Sequence, residues 1–161
     1  MIERIFPKVA SNDYRGNPLA IYGLCFLSAV FAFRSFVHFL TEDAGINTIA
    51  SIITFPGSPD PDRVIHLFAS LWGGQQVITL LILVVVLVRY RNLIPLMAIL
   101  LMLEQITRIV AGLQHPLDPT FYEHEPPGGA RGTLMFFGVS LLILVLSLRH
   151  RAQSPPDSPE A

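Results

Sequence analysis

Charge is what this sequence has least of: 14% of its 161 residues are Asp, Glu, Lys or Arg, against about a quarter in an ordinary soluble domain. With 52% hydrophobic residues and a mean hydropathy of +0.53, water is the wrong solvent for most of the chain. Cysteine is nearly absent as well. The lone Cys25 excludes an internal disulfide and a cysteine-rich zinc site. No Walker loop, HExxH, G-x-S-x-G or dinucleotide fingerprint occurs, so the familiar phosphate, zinc-protease, serine-hydrolase and nicotinamide chemistries have no foothold. The net charge of −1 and the lack of interleaved basic and aromatic residues exclude nucleic acid as a partner. "PPGGARG" is glycine-rich, but it lies beside the start of an apolar run and reads as a turn, not a phosphate cradle.

What is present is four apolar runs, at residues 19–40, 64–88, 93–113 and 133–148. A helix needs about 20 residues to cross the hydrocarbon core of a bilayer. The first three runs suffice, and the fourth needs its flanks. Continuous apolar runs lack the alternation of barrel strands, so they predict helices. The fold class expected is all-α: a polytopic integral membrane protein, a four-transmembrane-helix bundle. The short "RYRN" connection makes the second and third helices antiparallel neighbours. The domain plan is a cytoplasmic N-terminal segment 1–18, a transmembrane domain 19–148 and a disordered cytoplasmic tail 149–161. The first run is read as a retained span, because 18 polar or mixed residues precede it, it contains Arg34 and no small-x-small cleavage site follows.

Orientation follows from the basic residues at the span ends. One side holds Arg4, Lys8, Arg15, Arg89, Arg91, Arg149 and Arg151; the other holds Arg63 and Arg131. Both termini are therefore expected in the cytoplasm. The opposite loops are acidic, with Glu42, Asp43, Asp60, Asp62, Asp118, Glu123 and Glu125. In the first of them, Ile46, Ile49, Ile52 and Ile53 share a helical face, which predicts a short interfacial helix over 46–55 with a strand as the alternative. In the second, Phe121 and Tyr122 are expected at the headgroup level, in a loop folded over the helix ends. Small-xxx-small pairs, Ala69 with Gly73 and Ser70 with Gly74, predict a close helix contact, and Gly138 and Ser140 offer the same on the fourth helix.

The candidate site is a layer of ionisable groups inside the outward half of the spans. At 1.5 Å per residue, Arg34 lies roughly 9 Å and His38 roughly 3 Å below the outer end of the first helix. Glu104 and Arg108 lie roughly 13 Å and 8 Å below the outer end of the third. His66 opens the second helix near that level. An isolated charge at such depth costs about 2.5 to 3.5 kcal/mol, so Arg34 and Arg108 are expected to turn inward around Glu104. That network is either a clamp fixing helix register or a cationic site for an anionic or carbonyl-bearing ligand. Gln75 and Gln76 extend the polar track inward, with Trp72 beside them as packing or as a stacking platform. Two further arrangements are open: haem b held by His38 and His66, and a loop metal drawn from His115, His124, Glu123, Glu125 and Asp118.

The runs "DRVIHLFASLWGGQQVITLLIL" and "EQITRIVAGLQHP", in four spans over about residues 19–148, resemble the small DoxX-like membrane proteins and related four-helix domains. The resemblance implies a bacterial inner-membrane location. It carries no catalytic residue over. Two functions are expected from the sequence: a non-catalytic accessory or interaction subunit, with membrane lipids and other membrane-protein subunits as partners, or the binding or conversion of a lipophilic small molecule such as a quinone or lipid at the polar layer.

Overall fold

The computed structural model describes residues 2–124 and 128–149, without the side chains of 128–131. Among the described residues the chain is all-helical, with one isolated antiparallel bridge, Ile52 to Tyr122. A one-turn helix α1 (Ile2–Ile5) precedes four long ones, α2 (Leu19–Leu40), α3 (Asp62–Arg89), α4 (Ile94–Gln114) and α5 (Gly128–Leu148). α2, α3 and the stretch Arg91–Gln114 are long and apolar enough to cross a membrane; the apolar part of α5, Gly132–Leu148, is shorter. The tail beyond Arg149 and Glu125 in the second loop lie outside the described residues.

Local chemistry sets the helix ends. Asn17 accepts from Leu19 N with its side chain at 2.9 Å, and Pro18 then supplies a φ suited to a helix start. Asp60 accepts from Asp62 N at the start of α3. At the other end Arg91 Nε donates to Leu87 O at 2.7 Å, covering a carbonyl the helix leaves unpaired.

Core residues recur at helical spacing. Ala20, Leu24, Leu27 and Phe31 form one stripe on α2, and Ile94, Met97, Ala98 and Leu101 form another on α4. Leu80, Leu83 and Val86 of α3 and Ile143 of α5 complete the cluster. α2 lies chiefly along α3, α4 lies chiefly along α5, and α2 touches α5 to join the two pairs. α3 and α4 are neighbours in sequence but barely meet along their length. The tight turn 90–93 reverses the chain, yet side-chain packing is spent on the other pairs.

The close contact predicted at Gly73 is made within the chain. A Cβ there would stand 2.6 Å from His38 C and 2.7 Å from Phe39 N, so the backbones of α2 and α3 touch at a point only glycine permits. Gly138, by contrast, is exposed and meets nothing within 4 Å.

The first outer loop corrects the expectation of a helix over 46–55. It is a series of turns, with Ala44, Gly45 and Ser51 at φ of 48°, 69° and 54°. The cause is Asp43. Its carboxylate accepts from Gly45 N, Asn47 N, Thr48 N and Thr48 Oγ1, drawing in amides that a helix would point along its axis. Burial alone would raise the Asp43 pKa, but these hydrogen bonds outweigh it and hold the carboxyl well below its ordinary value. The strand alternative survives as the single Ile52 bridge, flanked by Ile53 N to Phe121 O and Glu123 N to Ser51 O, which zips the two outer loops together. Phe121 meets Phe55 there, their rings 5.9 Å apart.

At the opposite end the N-terminal segment is pinned, not loose. Asn92 exchanges backbone and side-chain hydrogen bonds with it: Ser11 N donates to Asn92 Oδ1 at 2.9 Å, Asn92 Nδ2 to Val9 O at 2.9 Å and Asn92 N to Ser11 O at 3.2 Å. Arg4 donates to Leu148 O, and Asn17 N to Leu146 O, tying the same segment to α5. Burial in this corner pushes the Tyr14 hydroxyl up to about 12.

Candidate functional site

Trp72 of α3, the single tryptophan, stands at the centre of the polar layer. The Arg108 guanidinium carbon lies 4.8 Å from its ring centroid and that of Arg34 5.5 Å. His38 lies 4.7 Å away, ring to ring. Three helices thus converge on one indole, whose negative π-face attracts both cations. Within the chain Trp72 packs against all three side chains.

Glu104 is shared less evenly than the sequence reading expected. Arg108 Nε donates to Glu104 Oε1 at 3.1 Å, one turn apart on α4, with about a quarter of each side chain exposed. Arg34 lies within Coulombic reach of Glu104 but makes no hydrogen bond among the described residues, because its guanidinium rests against Trp72 and Phe31. The carboxylate is therefore held by one fork, on one oxygen. Its other oxygen, Oε2, is buried without a partner among the described residues, and so is Arg108 Nη2.

Beside this layer, in the gap between α3 and α4, is a cavity of about 300 Å³. Trp72, Gln75, Gln76, Thr79 and Ile82 line it from α3, Met97, Leu100, Leu101 and Glu104 from α4, and Phe31 from α2. Most of the wall is hydrocarbon. Gln76 is 4% exposed, and neither Oε1 nor Nε2 has a hydrogen-bonding partner among the described residues. Buried polar groups elsewhere are treated differently. Ser28, Ser35 and Ser147 each donate to a carbonyl of the preceding turn, at 2.8, 2.6 and 2.8 Å, and so cost little. Leaving a buried donor or acceptor unmet costs about 1 to 3 kcal/mol. Gln76 bears that cost twice.

The histidines serve the first loop. His38 Nδ1 donates to Ala44 O at 2.7 Å. His66 Nε2 donates to Asn47 Oδ1 at 3.0 Å, and Asn47 Nδ2 in turn donates to Ile52 O, which fixes the amide's orientation. A haem between them does not fit. His38 sits where α2 and α3 touch at Gly73, leaving no width for a porphyrin. Gly73 is seven residues, or about 10 Å, along α3 from His66, so His38 and His66 do not stand at one height on the two helices. Among the described residues no three His, Cys, Asp or Glu side chains converge as a metal would require. His115, Glu123 and His124 are all exposed. Asp118 is occupied by Thr120, whose N and Oγ1 donate to Oδ1 and hold its carboxyl below the ordinary range.

Sequence reasoning reached Gln75, Gln76 and Trp72 but missed the hydrocarbon wall, since Phe31, Met97 and Leu100 look like any other apolar residue. It also passed over Gln105, 3% exposed with Oε1 unpartnered, although an amide beside Glu104 in an apolar run was a visible signal. Compared with protein families, curated proteins and solved structures, the chain matches none.

Proposed function

We propose that this chain is a four-helix transmembrane bundle of a bacterial inner membrane, with both termini cytoplasmic, that binds a lipophilic small molecule in the cavity between α3 and α4. Membrane insertion is supported by the outward faces. Only 33%, 28% and 33% of the apolar windows of α2, α3 and α4 are buried inside the molecule, so most of their hydrocarbon faces outward. Phe33 and Phe36 of α2, Leu67, Phe68 and Leu71 of α3 and Leu134 and Met135 of α5 are among the exposed residues. Water does not tolerate apolar surface on that scale; lipid does. The basic residues gathered at one end support that orientation.

The observation that carries the binding reading is the Gln76 amide: buried, unpartnered at both atoms and lining a largely apolar cavity. A pocket with hydrocarbon walls and few convergent polar groups is the usual form of a small-molecule site. The test is extraction from native membranes in mild detergent, with mass spectrometry of the molecules that accompany the protein. Leu100 lines the cavity and is still 46% exposed, so Leu100→Trp adds bulk there with little disturbance of packing. The wild type should carry a lipophilic compound that Leu100→Trp lacks. Identical contents in the two, with stoichiometric partner proteins instead, would favour the accessory-subunit role.

A further inference from the structure

Resting on that binding reading, we propose that the head of the bound molecule is a neutral group that both donates and accepts hydrogen bonds, a hydroxyl or an amide, and that Gln76 selects it against anions. The surplus cation of the layer first points the other way, since two arginines stand near one glutamate. The geometry removes them from the cavity. Neither Arg34 nor Arg108 lines it; both guanidinium groups lie against Trp72, Arg108 Nε is held by Glu104 Oε1, and the unpartnered Arg108 Nη2 belongs to a side chain outside the cavity wall.

Gln76 and Glu104 both line the cavity, and their buried atoms without partners among the described residues are Glu104 Oε2, Gln76 Oε1 and Gln76 Nε2. Two are acceptors and one is a donor. Thr79 adds no donor, because its hydroxyl already donates to Gln75 O at 3.2 Å; its oxygen is left as an acceptor. A carboxylate or phosphate entering here would find only neutral donors, the amides of Gln75 and Gln76 and the Trp72 indole N–H, with no cation on the wall, and would face the anionic Glu104. A hydroxyl donates to Glu104 Oε2 or Gln76 Oε1 while accepting from Gln76 Nε2. An amide pairs edge to edge with Gln76, its N–H to Oε1 and its C=O to Nε2. Phe31, Ile82, Met97 and Leu101 then take the hydrocarbon, and a volume of about 300 Å³ leaves no room for a large head.

Trp72 lines this cavity and is the single tryptophan, so intrinsic fluorescence reports its occupancy directly. Three probes with one brominated alkyl chain and different heads, a primary alcohol, a primary amide and a carboxylate, are titrated into the purified protein in nanodiscs at neutral pH. The alcohol and amide should quench saturably and at least tenfold more tightly than the acid. Gln76→Leu should weaken both about tenfold and erase the preference, while its melting temperature stays level or rises, because two unmet polar atoms are removed. Gln76→Met, of similar volume, repeats the measurement should the leucine variant fail to fold. An acid that binds as tightly as the alcohol, or unchanged alcohol affinity in the folded variant, overturns the assignment of the head while leaving the cavity a binding site. Quenching by all three probes that never saturates overturns the binding reading itself.

Discussion

Replacing Glu104 by Gln leaves the shape of the Trp72 layer nearly unchanged but removes its anion, so Arg34 and Arg108 face one indole without a counter-charge. Breaking a fully buried ion pair costs about 3 to 5 kcal/mol, and exposed pairs are worth about 0.2 to 1 kcal/mol. The Arg108 and Glu104 side chains are 23% and 26% exposed and share a single 3.1 Å hydrogen bond, so the loss belongs between those limits. About 2 kcal/mol is expected. Arg108→Gln should cost about the same, and combining it with Glu104→Gln should recover about 1 to 2 kcal/mol. The matching cycle with Arg34→Gln should recover less, about 0.5 kcal/mol, because Arg34 reaches Glu104 through space and not through a hydrogen bond. Reversible unfolding in mixed micelles measures all five variants against the wild type. Coupling energies within about 0.3 kcal/mol of zero would show that the groups do not meet. Equal coupling for the two arginines would refute the asymmetry.

Three other expectations are open to measurement. Asp43 has a folded pKa below its ordinary 3.8, so its contribution is fully present above about pH 4 and lost as pH falls further; amide exchange at Gly45, Asn47 and Thr48 should quicken in that window, and Asp43→Ala should produce the fast exchange already at neutral pH. Asn92→Ala removes two hydrogen bonds that hold residues 9–11, at a cost of about 1 to 3 kcal/mol, and should expose the N-terminal segment to protease while α3 and α4 stay intact. Unchanged cleavage would mean that α1 and Asn17 hold the segment unaided. Reporter fusions at the C-terminal tail and at Gly128 should label opposite faces of the membrane, as the seven basic residues Arg4, Lys8, Arg15, Arg89, Arg91, Arg149 and Arg151 against Arg63 and Arg131 require; the same face for both would exclude four spans.

The sequence by itself determined the helices, because a run of apolar side chains long enough to cross a bilayer can meet its backbone hydrogen bonds only within the run. α2 begins and ends at Leu19 and Leu40, as the apolar run does, and α3 and α4 agree with theirs to within two residues. It also marked Arg34, Glu104, Arg108, Gln76 and Trp72, because polar and aromatic groups stand out in a hydrocarbon run. Tertiary structure alone decided what these residues meet. Periodicity read 46–55 as a helix, but the Asp43 carboxylate gathers the amides into turns, and no pattern of isoleucines reports that competition. His38 and His66 look level when counted from helix ends, yet the contact of α2 with α3 at Gly73 displaces them, since helix stagger is set by which small residue admits the neighbouring backbone. The "RYRN" turn made α3 and α4 neighbours along the chain, while the better packing of α2 with α3 and of α4 with α5 left a gap between them. That gap is the cavity, and a space between side chains from distant parts of a chain is written nowhere in their order.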